Sequence, residues 1–279
     1  MVAEVTDPAA GPRIASLVPS LTETLVELGL RPWLVARTGF CTQPRDALRD
    51  VPKVGGTKDV DLARLRRLAP THVIVNVDEN RLDTVEALRA FIPRVMVTHP
   101  CTPHDNLGLL DLLGDEFAAL PGVGARLRHW RAELLKALAP FERAPGDSSA
   151  TAVRAPVRRV LYLIWREPWM TVARDTYISR LLALAGWQTL PDLEGGPRGA
   201  ARYPVVAGDE PWLDAVDEVL LSSEPYPFTA AHIAHAQRLV PHARVLRVDG
   251  QALSWYGVRA VAGLRYLQQL ARGDSAGAP

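Results

Sequence analysis

Three side chains able to ligate a metal or move a proton, His99, Cys101 and His104, fall within six positions of this sequence. Closed zinc sites usually space their ligands as C-x2-4-C or H-x3-5-H. The H-x-C-x2-H order here matches neither, and Pro100 and Pro103 stiffen the segment, so a solvent-exposed turn is expected. His232 and His235 stand three apart on an expected helix and carry the same weak metal signal. Cys41 reads as a packed thiol, because no base is identifiable beside it and only the thiolate is a strong nucleophile. A dinucleotide site would need a glycine-rich turn after the first strand, where the sequence has Val18-Pro19-Ser20-Leu21. The phosphate-binding pattern GxxxxGK[ST] and the nucleophile elbow GxSxG are both missing. No metal site and no catalytic constellation is therefore expected, and a role in recognition is.

The elements that would position such side chains alternate. Arg13–Val18 is an expected strand; Ser20 and Glu23 form a capping box before Leu21, Leu25 and Leu28, with Gly29 as the C-cap. Residues 51–57 make a turn-rich loop, and a helix over 61–68 carries Leu62, Leu65 and Leu68 on one face. His72–Val77 is a continuous apolar run of the buried parallel type. Asp83 and Glu86 box the next helix, Arg94–Thr98 is a strand, and 102–119 a helix. A long helical pattern covers 123–141, and a polar, proline-bounded stretch follows it. The alternation then restarts with strands at 159–165, 218–222 and 244–248 and helices at 176–185, 229–239 and 255–270. The expected class is α/β: two Rossmann-like lobes with parallel sheets, joined by a long bridging α-helix, with a ligand cleft between the lobes. Their bounds read 13–122 for the N-terminal lobe, 123–143 for the bridge, 144–157 for a flexible loop and 158–272 for the C-terminal lobe. The halves echo each other in their strand openings and in acidic loops at Asp78-Glu79-Asn80 and Ser223-Glu224-Pro225.

Composition narrows the partners. Of the 279 residues, 32 are Lys or Arg and 31 Asp or Glu, for a net charge of +1, which argues against nucleic acid or anionic lipid as the target. Apolar stretches such as Val160–Trp165 fall far short of the roughly 18 residues a membrane span needs, so no membrane insertion is expected. Met1–Arg13 has neither a basic n-region nor an apolar h-region. As written the chain is expected in the cytoplasm with Cys41 and Cys101 reduced, and in the periplasm if a leader was removed.

Five strings carry more than periodicity does: RIASLVPSLTE at 13–23, VPKVGGTK at 51–58, DENR at 78–81, WREPWM at 165–170 and SWYG at 254–257. In this order they resemble the cobalamin-type periplasmic substrate-binding proteins, the helical-backbone class serving metal-chelate ABC importers. The resemblance spans about residues 13 to 270 and implies two Rossmann-like lobes bridged by a rigid helix, with the ligand in the cleft and only a small hinge change on binding. The implied ligand is a flat metal chelate such as cobalamin, haem or a ferric siderophore, with no intrinsic cofactor. Such a ligand needs aromatic platforms and a few polar donors. Phe40, Trp165, Trp169, Tyr203, Trp255 and Tyr256 lie in or beside expected loops and are the candidate platforms. Ser20 at a helix start, Gly55, Gly56 and Thr57 in a loop open to close backbone approach, and the charged Glu79, Arg81 and Arg166 complete the candidate set; Glu79 is expected to meet a ligand amide or to pair with Arg81 or Arg166.

Importer-linked members resemble one another in one exposed glutamate per lobe that docks on the permease. The matching N-lobe position here is Ala63, and the C-lobe counterpart falls near Asp209 and Glu210, which counts against an ABC-importer permease as partner. Three readings stand: a non-catalytic chelate-binding protein, an importer subunit whose leader was removed, and an enzyme of corrinoid or tetrapyrrole metabolism using Glu79, Cys41 or His99.

Overall fold

The computed structural model describes residues 11–142 and 157–273, so the expected flexible loop 144–157 lies outside the described residues save for Val157. The chain divides into two compact units, one running to His99 and resuming over Leu113–Arg128, the other holding Pro100–Leu112 and everything from His129 onward.

In the first unit, β1 (Ile14–Ser16), β2 (Leu34–Arg37), β3 (His72–Asn76) and β4 (Arg94–Thr98) form a sheet in the order β2-β1-β3-β4. All three pairings are parallel. β1 and β3 read as near-continuous apolar runs because a central parallel strand is covered on both faces. Ala15, Leu17, Val73 and Val75 join Leu65 of α2 (Leu62–Arg67) and Leu88 of α3 (Leu82–Arg89) in one core cluster. The helix after β1, α1 (Pro19–Glu27), is not capped by Ser20. Val18 is its N-cap and Pro19 opens the first turn, where its fixed φ suits a helix and its missing N–H costs nothing. Gly29, at φ +83°, follows the last turn as expected. α3 likewise begins one residue earlier than its expected cap: Arg81 is the N-cap, and Asp83, inside the first turn, accepts from the Thr84 N–H and pairs with Arg81.

Two helices, α4 (Asp105–Phe117) and α5 (Val123–Leu138), have residues in both units. The helix expected over 123–143 is α5, ending at Leu138 and followed by a 3-10 turn, Ala139–Phe141.

The second unit repeats the first. β5 (Arg158–Leu163), β7 (Trp187–Thr189), β9 (Glu218–Ser222) and β10 (Arg244–Val248) lie in the order β10-β9-β5-β7, again with all pairings parallel. Counted within each unit, both sheets are wired 2-1-3-4, so the echo between halves is topological. β6 (Trp169–Met170) and β8 (Val205–Val206) add a small antiparallel pair. α6 (Tyr177–Leu184), capped by Thr176, stands where expected, whereas α7 (Ile233–Leu239) starts four residues later than expected, after a 3-10 turn over Ala230–His232. The closing helix is two, α8 (Gly250–Ser254) and α9 (Arg259–Ala271), broken at Trp255-Tyr256-Gly257, where Gly257 takes φ +78°. Asn106, fully buried, holds the break: its Oδ1 accepts from the Gly257 N–H at 2.5 Å, and its Nδ2 donates to the Pro103 carbonyl at 2.8 Å.

α8 and α9 pack closely at Gly263, where a Cβ would stand 2.1 Å from the Ala252 carbonyl oxygen. Helix propensity alone favours Ala over Gly by about 1 kcal/mol. The clash reverses the sign, and Gly263→Ala is expected to destabilise the protein by about 1–3 kcal/mol, read as a lower urea midpoint.

Candidate functional site

In a 2-1-3-4 parallel sheet, the connections leaving the first and third strands run to opposite sides and open a crevice at the carboxyl ends between them. In the first unit that point lies between the ends of β1 and β3. Carbonyls there have outrun their sheet partners and need other donors. Asn80, 5% exposed, supplies them: its Nδ2 donates to the Leu17 carbonyl at 3.3 Å and to the Thr57 carbonyl at 3.0 Å, and its Oδ1 accepts from the Asn76 N–H at 2.8 Å. Asn76 Oδ1 accepts in turn from the N–H groups of Asp78 and Glu79. Three rim segments, after β1, around Thr57 and after β3, are thereby fixed to one another.

The candidate residues of the first unit gather around this rim. Ser20 is buried in the first turn of α1, and its hydroxyl has no hydrogen-bond partner. Phe40, after β2, is 64% exposed, and its ring lies over Gly56, where a Cβ would stand 3.2 Å from Phe40 Cε2. Gly39 donates to the Gly55 carbonyl at 2.7 Å, joining the two loops. Gly55 itself answers to the turn, since its φ is +88° and a Cβ would fall 2.2 Å from the Asp59 carbonyl oxygen. Glu79 is half-buried near Lys58, whose Nζ donates to the Asp78 carbonyl at 2.7 Å. Burial pushes the Lys58 amine down, against the attraction of Glu79 and Asp78. Arg81 faces solvent in a two-pronged contact with Asp83, 2.7 Å at the shorter. That pairing holds the Asp83 carboxyl down, at about 2.

Cys41 is fully buried beside Thr38 Oγ1 at 3.1 Å, and burial pushes its thiol up against the hydrogen bonds of Thr22 and Thr38. A protonated thiol in a closed setting is no nucleophile. The three residues of the H-x-C-x2-H string are engaged separately. His99 Nε2 stands 3.4 Å from Asp78 Oδ2, and His104 Nε2 3.3 Å from Glu142 Oε1. Cys101 Sγ accepts from Arg202 Nη2 at 3.6 Å. Among the described residues no group of three His, Cys, Asp or Glu side chains is placed to hold a metal ion.

The corresponding point of the second unit, between β5 and β9, is aromatic. Trp165, 41% exposed, meets Tyr226 edge to face at 5.5 Å. Trp169 stacks on Phe228 at 6.0 Å, with the Arg166 guanidinium 5.7 Å over its ring. Tyr203 is half-buried in the loop before β8. Trp255 and Tyr256 are each only 7% exposed: the Trp255 Nε1–H donates to Glu224 Oε1, and Tyr256 packs edge to face on Tyr177 at 5.9 Å. Sequence reasoning assigned no role to Asn80 or Glu224. Glu224 is mostly enclosed, and burial raises its carboxyl despite hydrogen bonds from Trp255, Gln251 and Ser254. The Asp-Glu-Asn and Ser-Glu-Pro loops following the third strand of each half were the available signal.

Of the two expected docking positions, Ala63 is exposed on α2. Glu210 is turned into its own loop, accepting from the N–H groups of Ala207 at 2.7 Å and Gly208 at 2.8 Å, while Asp209 is exposed.

Asn80→Ala removes the donor of two buried carbonyls and the acceptor of one N–H. It is expected to cost about 2 kcal/mol or more, with faster amide exchange at Asn76 as the local readout.

No protein-family model matches the sequence, and no curated protein matches it. Solved structures do. The periplasmic vitamin B12 binding protein BtuF of Vibrio cholerae superposes with a TM-score of 0.75 at 17% identity, over 95% of this chain and 98% of that one. A periplasmic heme binding protein from Pseudomonas aeruginosa does so at 0.72 and 22% identity, over 96% and 94%. The heme-binding protein RhuT from Roseiflexus sp. RS-1 follows at 0.70 and 17%, over 95% and 100%. Over nearly its whole length this chain has the fold of these binding proteins, two parallel α/β sheets included. Among the described residues no helix is long and apolar enough to cross a membrane.

Proposed function

We propose that the protein is a non-catalytic binding protein for a flat metal chelate of the corrinoid, haem or ferric siderophore kind, held by residues of its carboxyl-end rims. The observation that carries this reading is the exposed Phe40 ring lying over Gly56 at the rim of a fold shared with proteins named for vitamin B12 and heme binding. An aromatic face left 64% open on an otherwise polar rim suits stacking on a planar ligand. Trp165, Arg166, Trp169 and Tyr203 serve the second unit in the same way, and Ser20, Gly56, Thr57, Glu79 and Arg81 line the first. Trp255 and Tyr256 support the rim from within rather than offering open faces. No resident cofactor is needed, because the chelate is the cargo.

An enzyme built on Cys41 is disfavoured by its enclosed, protonated thiol. A permease partner would have to dock without an acid at Ala63 and with Glu210 already committed to its own loop. Asp209 is the acidic group such a partner would meet.

Calorimetric titration of the purified chain with cyanocobalamin, haem and a ferric hydroxamate siderophore tests the reading. At least one chelate is expected to bind, and Phe40→Ala is expected to weaken it about tenfold, the worth of one aromatic stacking contact, without lowering the thermal midpoint. If none of the three chelates binds, the reading falls.

A further inference from the structure

A second recessed site lies on the second unit, where the loop after β5 and the β6–β8 pair face α7. This cavity of about 540 Å³ lies within the range of small-molecule sites, roughly 300–1,000 Å³. One part of its wall is basic: the cations Arg166 from the loop and Arg238 on α7, with the imidazole of His235 one turn before Arg238. The rest is apolar, formed by Trp169, Pro168, Val205, Val206 and Leu239. One carboxylate, Glu167, reaches the same wall, 3.5 Å from Arg166 Nη2, but its side chain is 81% exposed and free to swing away. Glu167 also holds φ +66°, a left-handed conformation that is strained for a non-glycine residue and tends to persist at functional positions.

We infer that this cavity binds a carboxylate borne on a flat apolar body, the anion meeting Arg166, His235 and Arg238 and the body lying against Trp169 and the valines of β8. An inorganic anion would leave the apolar wall uncovered, and a neutral aromatic would leave the guanidinium groups unmatched. The carboxylate has two sources, a free organic acid or a peripheral arm of a larger ligand. The chemistry is the same for both. The site shares Arg166 and Trp169 with the chelate reading but does not rest on it, since His235, Arg238 and the apolar wall of Val205, Val206 and Leu239 belong to the cavity alone.

The groups facing His235 set its response to pH. Burial lowers its imidazole, and Arg166, Arg238 and His232 lower it further, against a smaller pull from Glu167. The ring is therefore neutral at pH 7 and above. A bound anion favours the charged ring, so binding takes up a proton and strengthens as pH falls.

The test uses the full chain with 1-naphthoate, its neutral analogue 1-naphthamide, haem and haem dimethyl ester. The free acid is expected to bind at least tenfold tighter than the amide. Arg238→Gln is expected to remove about tenfold of that binding, and affinity for the acid should rise severalfold from pH 8 to pH 5.5 in the native chain but not in His235→Gln. If the acid does not bind while haem binds about tenfold tighter than its diester, and only when Arg238 is present, the occupant is the arm of a larger ligand and the assignment still stands. Equal binding of acid and amide, or carboxylate preference untouched by Arg238→Gln in both pairs, overturns it, as does no carboxylate preference in either pair. A chain that binds naphthoate but no chelate would leave this site standing while the chelate reading fails, and the converse result would separate them in the other direction.

Discussion

Backbone carbonyls at the carboxyl edge of a parallel sheet have no neighbour strand to satisfy them, and the loops that take them up lie where open α/β sheets generally place their crevice. In the first unit this conflict is resolved by one side chain. Asn80 reaches the end of β1, the Thr57 loop and the end of β3 together, using both amide hydrogens and the carbonyl. In the second unit a hydroxyl chain does the equivalent work, with Tyr162 donating to Ser222 Oγ at 2.9 Å and Ser222 donating to the Glu224 carbonyl at 2.6 Å. Because these bonds are internal, the rims keep their shape without help from a ligand. Phe40 and Trp165 can then stay partly exposed on loops that are not themselves loose.

The alternation of strand and helix was legible because buried parallel strands are nearly apolar runs, as His72–Asn76 and Glu218–Ser222 are, while the edge strands Arg94–Thr98 and Arg244–Val248 keep enough apolar residues to stand where periodicity puts them. The strands that periodicity missed, β2, β6, β7 and β8, have two to four residues each, and partners far along the chain make them strands. Two helix starts were misplaced for local reasons. Pro19 fills the first position that a capping Ser20 would have to precede, and Asp83 found Arg81. Among the candidate rings, exposure was the illegible quantity. Trp255 and Tyr256 look like loop aromatics in the sequence, yet their enclosure depends on Glu224 and Tyr177, some thirty and eighty positions earlier.

A net charge of +1 describes the whole chain and none of its parts. Near α7, three groups able to carry positive charge gather around one exposed carboxylate, whereas the first unit's rim sets Lys58 among Asp78, Glu79 and His99. The two rims share wiring but differ in sign and in aromatic content. Topology therefore fixed where the two rims stand, and the side chains set their charge and aromatic content separately in each half.

The hydrogen bond from Gly257 to Asn106 joins residues 151 positions apart. Asn106 belongs to the short stretch Pro100–Leu112, which the chain contributes to the second unit before returning to complete the first with Leu113–Arg128. During synthesis, α4 therefore leaves the ribosome with a buried amide whose acceptor and donor needs are met in part only after the last quarter of the chain has emerged. The first unit has all of its residues at Arg128. The second has to wait, with half of α4 unclaimed, until the break between α8 and α9 is made, so the order of translation favours one unit finishing well before the other.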